Sequence, residues 1–230
     1  MPRDTLEQAL QSLQDDLLCL GSLVEQAIVQ SVQVLKQRDL DGARRLVAHD
    51  RELNRMRFDI EEQAFTLIAT QGPMARDMRT VAATLAIVGE LERIGDYAKG
   101  IGKITLLLGH EPLIKPLIDI PRMADRAQDM LHRALEAFMQ RDAAVARALP
   151  AEDDEVDDLY NQVYRELMTF VMSDPRNIDQ ANYLLWAAHN LERAADRVIN
   201  ICERIVFTVT GELLEMGAEE GETAVPATPD

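Results

Sequence analysis

Leu6, Leu10, Leu13, Leu17, Leu20, Val24, Ala27 and Ser31 follow one another in alternating steps of four and three. That period holds side chains on one helical face, so the pattern predicts a first helix with a bundle-type seam. Asp39 and Asp41 then offer capping oxygens for a second helix over roughly 42–70. Gln71-Gly72-Pro73 ends it, and a third helix is predicted over roughly 74–108. Between Gly109 and Pro121 the chain carries Gly109, Pro112, Pro116 and Pro121, which marks a boundary. The pattern then restarts. Leu117, Ile120, Ala124, Ala127, Leu131, Ala134 and Phe138 form a fourth helical seam, and Asp142 falls 103 residues after Asp39. A fifth helix is predicted over roughly 143–172, Ser173-Asp174-Pro175 breaks it, and a sixth runs over roughly 177–215.

The two series coincide at an offset of 103 residues for the first two helices of each half and 100 for the last. The expectation is an all-α protein of two tandem, pseudo-symmetric three-helix bundles, residues 1–112 and 113–216. An acidic, Gly- and Pro-containing tail, 217–230, is expected to be disordered.

The same seams are interrupted four times by a carboxylate. Val81, Leu85 and Val88 call for an apolar residue where Glu92 stands; Leu185 and Ala188 lead to Glu192. Ala43, Leu46 and Leu53 flank Asp50, and Ala146, Leu149 and Val156 flank Asp153. Each has a companion one turn on, namely Asn54, Asp96, Asp157 and Asp196, and residues at i and i+4 share a helix face. Leu-Glu-Arg-x-x-Asp itself occurs twice, at Leu91–Asp96 and Leu191–Asp196. With 40 acidic residues in 230, chance alone supplies roughly seven acidic i,i+4 pairs, so spacing by itself carries nothing. Seam position, antiparallel neighbours and duplication carry the inference.

Anions crowded at a helix interface repel and lose hydration unless cations neutralise them. A salt-bridge network through Arg93 and Arg193 is one answer. Each Arg directly follows its Glu, however, and so points about 100° away around the helix. Metal is the simpler answer, and all-carboxylate ligation suits magnesium, manganese, iron or zinc. Glu-x-x-His is absent, which disfavours a ferritin-like oxidase. His189, one turn before Glu192, could join the second set, but a core histidine is the expectation because Gly89 holds the corresponding place.

Composition narrows the classes. Apolar residues make up 47% and charged residues 28%, as in a soluble globular protein, while 4% aromatics favour helices over sheets. A formal charge of −16 repels nucleic acid and anionic lipid and attracts cations and basic protein surfaces. No apolar run is expected to span a membrane, and Met1-Pro2-Arg3-Asp4 lacks a signal-type segment, so the expected location is cytoplasmic without membrane insertion. Cys19 and Cys202 are expected to be buried small hydrophobes in a reducing compartment. No phosphate-cradling Gly-rich loop, Gly-x-Ser-x-Gly or paired Cys or His motif occurs, so a non-enzyme is expected. The contrasting reading is a carboxylate-bridged metalloenzyme acting on phosphate compounds.

With these residues in view the chain resembles the PhoU family, accessory proteins of phosphate-specific transport. The family's repeated motif is matched by Asp50-x-x-x-Asn54 with Glu92-x-x-x-Asp96, and by Asp153-x-x-x-Asp157 with Glu192-x-x-x-Asp196. Ala75-Arg76-Asp77-Met78-Arg79 and Asn200-Ile201-Cys202-Glu203, with Gly211, match two further stretches. The resemblance implies metal ions held by these carboxylates, with Glu203 as an additional candidate ligand. It also implies a cytoplasmic, often dimeric adaptor between the phosphate ABC transporter ATPase and a sensor histidine kinase, a negative regulator of phosphate-starvation genes. Asn54 departs from the usual Asp and removes one charge from the first set, so metal is expected to favour Asp153, Asp157, Glu192 and Asp196.

Overall fold

The structure is a computed structural model that describes residues 3–216; the tail expected to be disordered lies outside the described residues. Helix α1 runs Arg3–Gln37, α2 Leu40–Gln71 and α3 Arg76–Leu108. After the Gly/Pro connection come α4 Asp119–Gln140, α5 Ala143–Ala148, α6 Asp153–Ser173 and α7 Ile178–Thr210. Among the described residues there is no strand.

The duplicated sequence produces duplicated local chemistry. Arg38 and Arg141 both adopt φ of +56° at the ends of α1 and α4. Each is followed by a capping Asp. Asp39 accepts from the Gly42 amide, and Asp142 accepts from the amides of Ala144 and Val145, which satisfies donors that a helix start leaves open. The last helix stops earlier than expected, at Gly211, whose left-handed backbone (φ +82°) lets its N–H donate to the Phe207 carbonyl at 2.8 Å.

One expected helix is broken. Leu149–Glu152 form a 3-10 turn between α5 and α6, where a continuous helix over 143–172 was expected. Pro150 lacks an amide hydrogen and its ring collides with the preceding turn, so the α-helical ladder cannot run through it. At the corresponding place in the first half stands Val47, and α2 is unbroken. Asp153 therefore opens a helix, whereas Asp50 lies within one.

Helices α1, α2 and α3 pack on one another, and α4, α6 and α7 do the same. The broadest contact joins the halves, α3 against α7, and α1 also lies against α4. Buried residues from both halves accordingly form one continuous apolar cluster. At the α1–α4 crossing Gly21 leaves room for Leu135; a Cβ there would overlap that side chain. The predicted seams are buried, from Leu10 to Ser31 in α1 and from Leu117 to Phe138 at α4.

Two expectations about exposure change. An 18-residue window of α1 does reach a mean hydropathy of 1.4 and is by length and composition able to cross a membrane. Half of that window is buried against the bundle, as in the core helix of a helical domain. Cys202 is buried as expected, its thiol pushed up to about 12 by desolvation first and the neighbouring Glu203 charge second. Cys19 is exposed instead, because it lies one position before the Leu20 seam and faces outward.

Candidate functional site

Each half carries its acidic set where two antiparallel helices meet, α2 with α3 and α6 with α7. Asp50 and Asp153 are the buried members, 7% and 8% exposed. Glu92, Glu192, Asn54 and Asp196 are half-buried, and Asp96 and Asp157 are exposed at the rim. Among the described residues, no three His, Cys, Asp or Glu side chains already stand in a ligating arrangement.

In the first half the carboxylates are already neutralised. Lys99, one turn after Asp96 on α3, donates from Nζ to Asp50 Oδ2 at 2.7 Å and to Asp96 Oδ1 at 3.1 Å. Asn54 Nδ2 donates to the same Asp50 Oδ2 at 3.1 Å and to the Asp50 carbonyl at 3.0 Å. Arg57, three residues after Asn54, pairs with Glu61 at 2.9 Å and reaches Glu92 at 3.4 Å. These contacts hold both cations charged. The bond to Asp50 is the main reason the Lys99 ammonium titrates above its ordinary range, and Glu61 does the same for Arg57. Arg93 turns away to Glu90, as its position 100° around the helix requires.

The second half lacks cations at the corresponding positions. Position 199, corresponding to Lys99, is Ile199, and Tyr160 corresponds to Arg57. Burial, and then the charges of Asp157, Asp196, Glu192 and Asp154, push the Asp153 carboxyl up to about 7. Asp157 is raised by desolvation and then by Asp196, and Glu192 by desolvation and then by Asp196. Asp153 Oδ1 is buried without a hydrogen-bond partner. Glu192 Oε2 comes within 3.0 Å of His189 Nδ1 but without hydrogen-bonding alignment. Arg193 brings a guanidinium to 3.7 Å from Asp196.

His189 is thus not the core histidine expected from its position. Its side chain is half exposed, beside Glu192 and 6.1 Å from the Tyr160 ring. Glu203 lies apart from both sets; its Oε1 accepts the Met216 amide at 2.9 Å and ties the chain after α7 back onto that helix.

Metal fits one set and not the other. Four oxygen-donor side chains with an orphaned buried oxygen suit a hard or borderline cation in the second half, after a change of side-chain rotamer. In the first half an ammonium and an amide take up the Asp50 oxygen, so the residues present do not suit a metal. Sequence reasoning missed Lys99 and Arg57, although their signal was available: both fall one turn from the acidic set, and both differ in kind from their counterparts in the repeat.

A family model described as the PhoU domain matches residues 17–105 and again 120–205. The chain belongs to the PhoU family. It is 38% identical over 208 residues to a Caulobacter vibrioides protein named phosphate-specific transport system accessory protein PhoU homolog, covering 90% of each chain. A relative from Edwardsiella tarda, named phosphate-specific transport system accessory protein PhoU, is 35% identical over 88% of this chain and 84% of its own. Among solved structures, the phosphate transport system regulatory protein PhoU of Streptococcus pneumoniae superposes with a TM-score of 0.85 at 29% identity. The match covers 92% of this chain and all of that one. PhoU from Pseudomonas aeruginosa superposes with a TM-score of 0.84 at 30% identity, covering 90% and 99%.

The other PhoU-like stretches lie near the joint between halves. Ala75-Arg76-Asp77-Met78-Arg79 opens α3, with Ala75 at φ +47°, and Arg141 from the end of α4 donates to Thr80 Oγ1 at 3.2 Å. Asn200 Nδ2 donates to Glu90 Oε2 at 3.3 Å, and Arg197 lies 3.5 Å from the same carboxylate, linking α7 to α3.

Proposed function

We propose that this PhoU-family chain is a non-enzymatic accessory protein of phosphate-specific transport. In this reading it restrains uptake and phosphate-starvation signalling from the cytoplasm, as an adaptor between the transporter ATPase and a sensor histidine kinase, and as a homodimer. An accessory role in phosphate transport is what the names of relatives covering nine-tenths of the chain support. Metal enters through the second half. Asp153, Asp157, Glu192 and Asp196 would hold it, and the bound ion would supply the positive charge that their mutual repulsion calls for.

The observation that carries the metal reading is Asp153, over nine-tenths buried, with an unpartnered oxygen beside three further carboxylates. A buried polar atom without a partner costs about 1–3 kcal/mol. A cation held by these residues would remove that cost and would fix the faces of α6 and α7 for a partner. Deletion of the gene, followed by phosphatase measurement in phosphate-rich medium, tests the proposal. Phosphatase expression rises on deletion, the wild-type gene restores repression, and Asp153→Asn with Glu192→Gln does not. No rise on deletion overturns the regulatory reading; full restoration by the double variant overturns the role given to metal.

A further inference from the structure

Both halves of the repeat inherit the same acidic crossing, but the first contains its own cation. We infer that Lys99 is a tethered substitute for metal, which closes the Asp50, Asn54, Glu92 and Asp96 set to metal ions and leaves one metal-binding set per chain. The inference rests on the metal reading of the second half only for that last clause.

The contacts are specific. Lys99 Nζ bridges α3 to α2, at 2.7 Å from Asp50 and 3.1 Å from Asp96, the two carboxylates that a metal at this crossing would have to share. Asp50 Oδ2 already accepts from both Lys99 and Asn54, so its lone pairs are committed. Glu92 has its own cation in Arg57. The comparison within the chain turns these contacts into an argument. At three corresponding positions the first half carries Lys99, Arg57 and Asn54 where the second carries Ile199, Tyr160 and Asp157. Every one of the three exchanges shifts charge in the same direction, toward neutrality. Three carboxylates face two permanent cations in the first half; four face none at those positions in the second.

An ammonium on its own side chain also has an advantage over a free ion. It is held at high effective concentration by a four-carbon stem, and it cannot be removed by a chelator. A metal must expel it and leave it without its partners, which for a charge at a half-buried crossing is unfavourable. The first crossing is thus a permanent clamp, and only the second responds to metal supply.

Manganese(II) binding to the purified full-length protein, followed by equilibrium dialysis and by electron paramagnetic resonance, tests this. The wild type shows one class of site, and Asp153→Asn with Glu192→Gln abolishes it. Adding Lys99→Ile and Asn54→Asp to that double variant, to copy the second half, restores one class of site. Lys99→Gln with Asn54→Asp, which keeps side-chain length, gives the same gain if the Ile version does not fold. Two outcomes overturn the inference. One is manganese that persists in the Asp153→Asn/Glu192→Gln protein and is lost on Glu92→Gln; the other is no gain from either Lys99 replacement. A wild type that takes no manganese would sink the metal reading of the second half, while a gain on removing Lys99 would still uphold the clamp.

Discussion

In the first half α2 runs unbroken past Asp50, whereas in the second Pro150 halts the chain and Asp153 begins a new helix. A helix start favours negative charge, by about 0.3–1 kcal/mol, and Asp153, Asp154 and Glu155 all sit in that first turn. The benefit is too small to prevail: burial first, and then the neighbouring carboxylates, still push Asp153 up to about 7. Asp50, with no helix start to help it, is instead served by side chains, Lys99 and Asn54. Two copies of one fold thus place a buried carboxylate at the same crossing, and the first balances it with side chains that the second lacks. A repeated motif preserves geometry more faithfully than it preserves charge.

The largest effect expected concerns the helix break. Val47→Pro, which imposes on α2 the residue found at 150, destabilises the protein by about 3 kcal/mol in urea denaturation. Pro150→Val, the reverse exchange, stays within about 1 kcal/mol, because the turn already accommodates 3-10 geometry. Equal costs would mean that the two halves tolerate the break alike.

Asp50→Asn and Asp153→Asn should shift stability in opposite directions in EDTA. The first leaves Lys99 without its main partner and costs about 1–3 kcal/mol. The second removes a buried, repelled charge and stabilises the metal-free protein by about 1 kcal/mol. Urea midpoints of the two variants decide it, and a loss in both would remove the asymmetry.

Acidity separates the halves again. Asp153 moves from an ordinary 3.8 to about 7, so between those values the native state binds more protons than the unfolded chain. Stability of the metal-free protein therefore falls as pH rises through that window, with Asp157 and Glu192 shifted in the same direction. Lys99, raised above 10.5, contributes stability that is complete below that value and is lost only as pH climbs beyond it. Urea denaturation from acid to alkaline pH should show the first slope flattened by Asp153→Asn and the second by Lys99→Gln.

The smallest effect concerns the thiols, one in each half. Cys19 should react with a thiol reagent in the native protein, and Cys202, buried and pushed up to about 12, only on unfolding. Counting thiols labelled before and after denaturant checks this without a mutation.

The bundle was legible because its seams are long and strictly periodic, and because Asp39 and Asp142 announce their caps at matching offsets. The break at Pro150 is masked in the sequence, because Ala146, Leu149 and Val156 keep the seam spacing through it. A 3-10 turn can preserve which side faces the core while losing the α-helical ladder. The acidic crossings were found by their violation of apolar patterning. Their neutralisers were not, because Lys99 and Arg57 violate nothing: both lie at partly exposed helix positions where a charged side chain is ordinary. His189 was misjudged for a related reason. Gly89 at the corresponding place suggested that no polar role attaches to the position, but the side chain stands half exposed beside Glu192.

The claim that the two crossings are electrostatically unlike is tested most directly by anomalous diffraction from crystals of the wild-type protein equilibrated with manganese. The account predicts an anomalous peak against Asp153 and Glu192 and none between Asp50 and Asp96, where the Lys99 ammonium stands. Peaks of similar height at both crossings would contradict it.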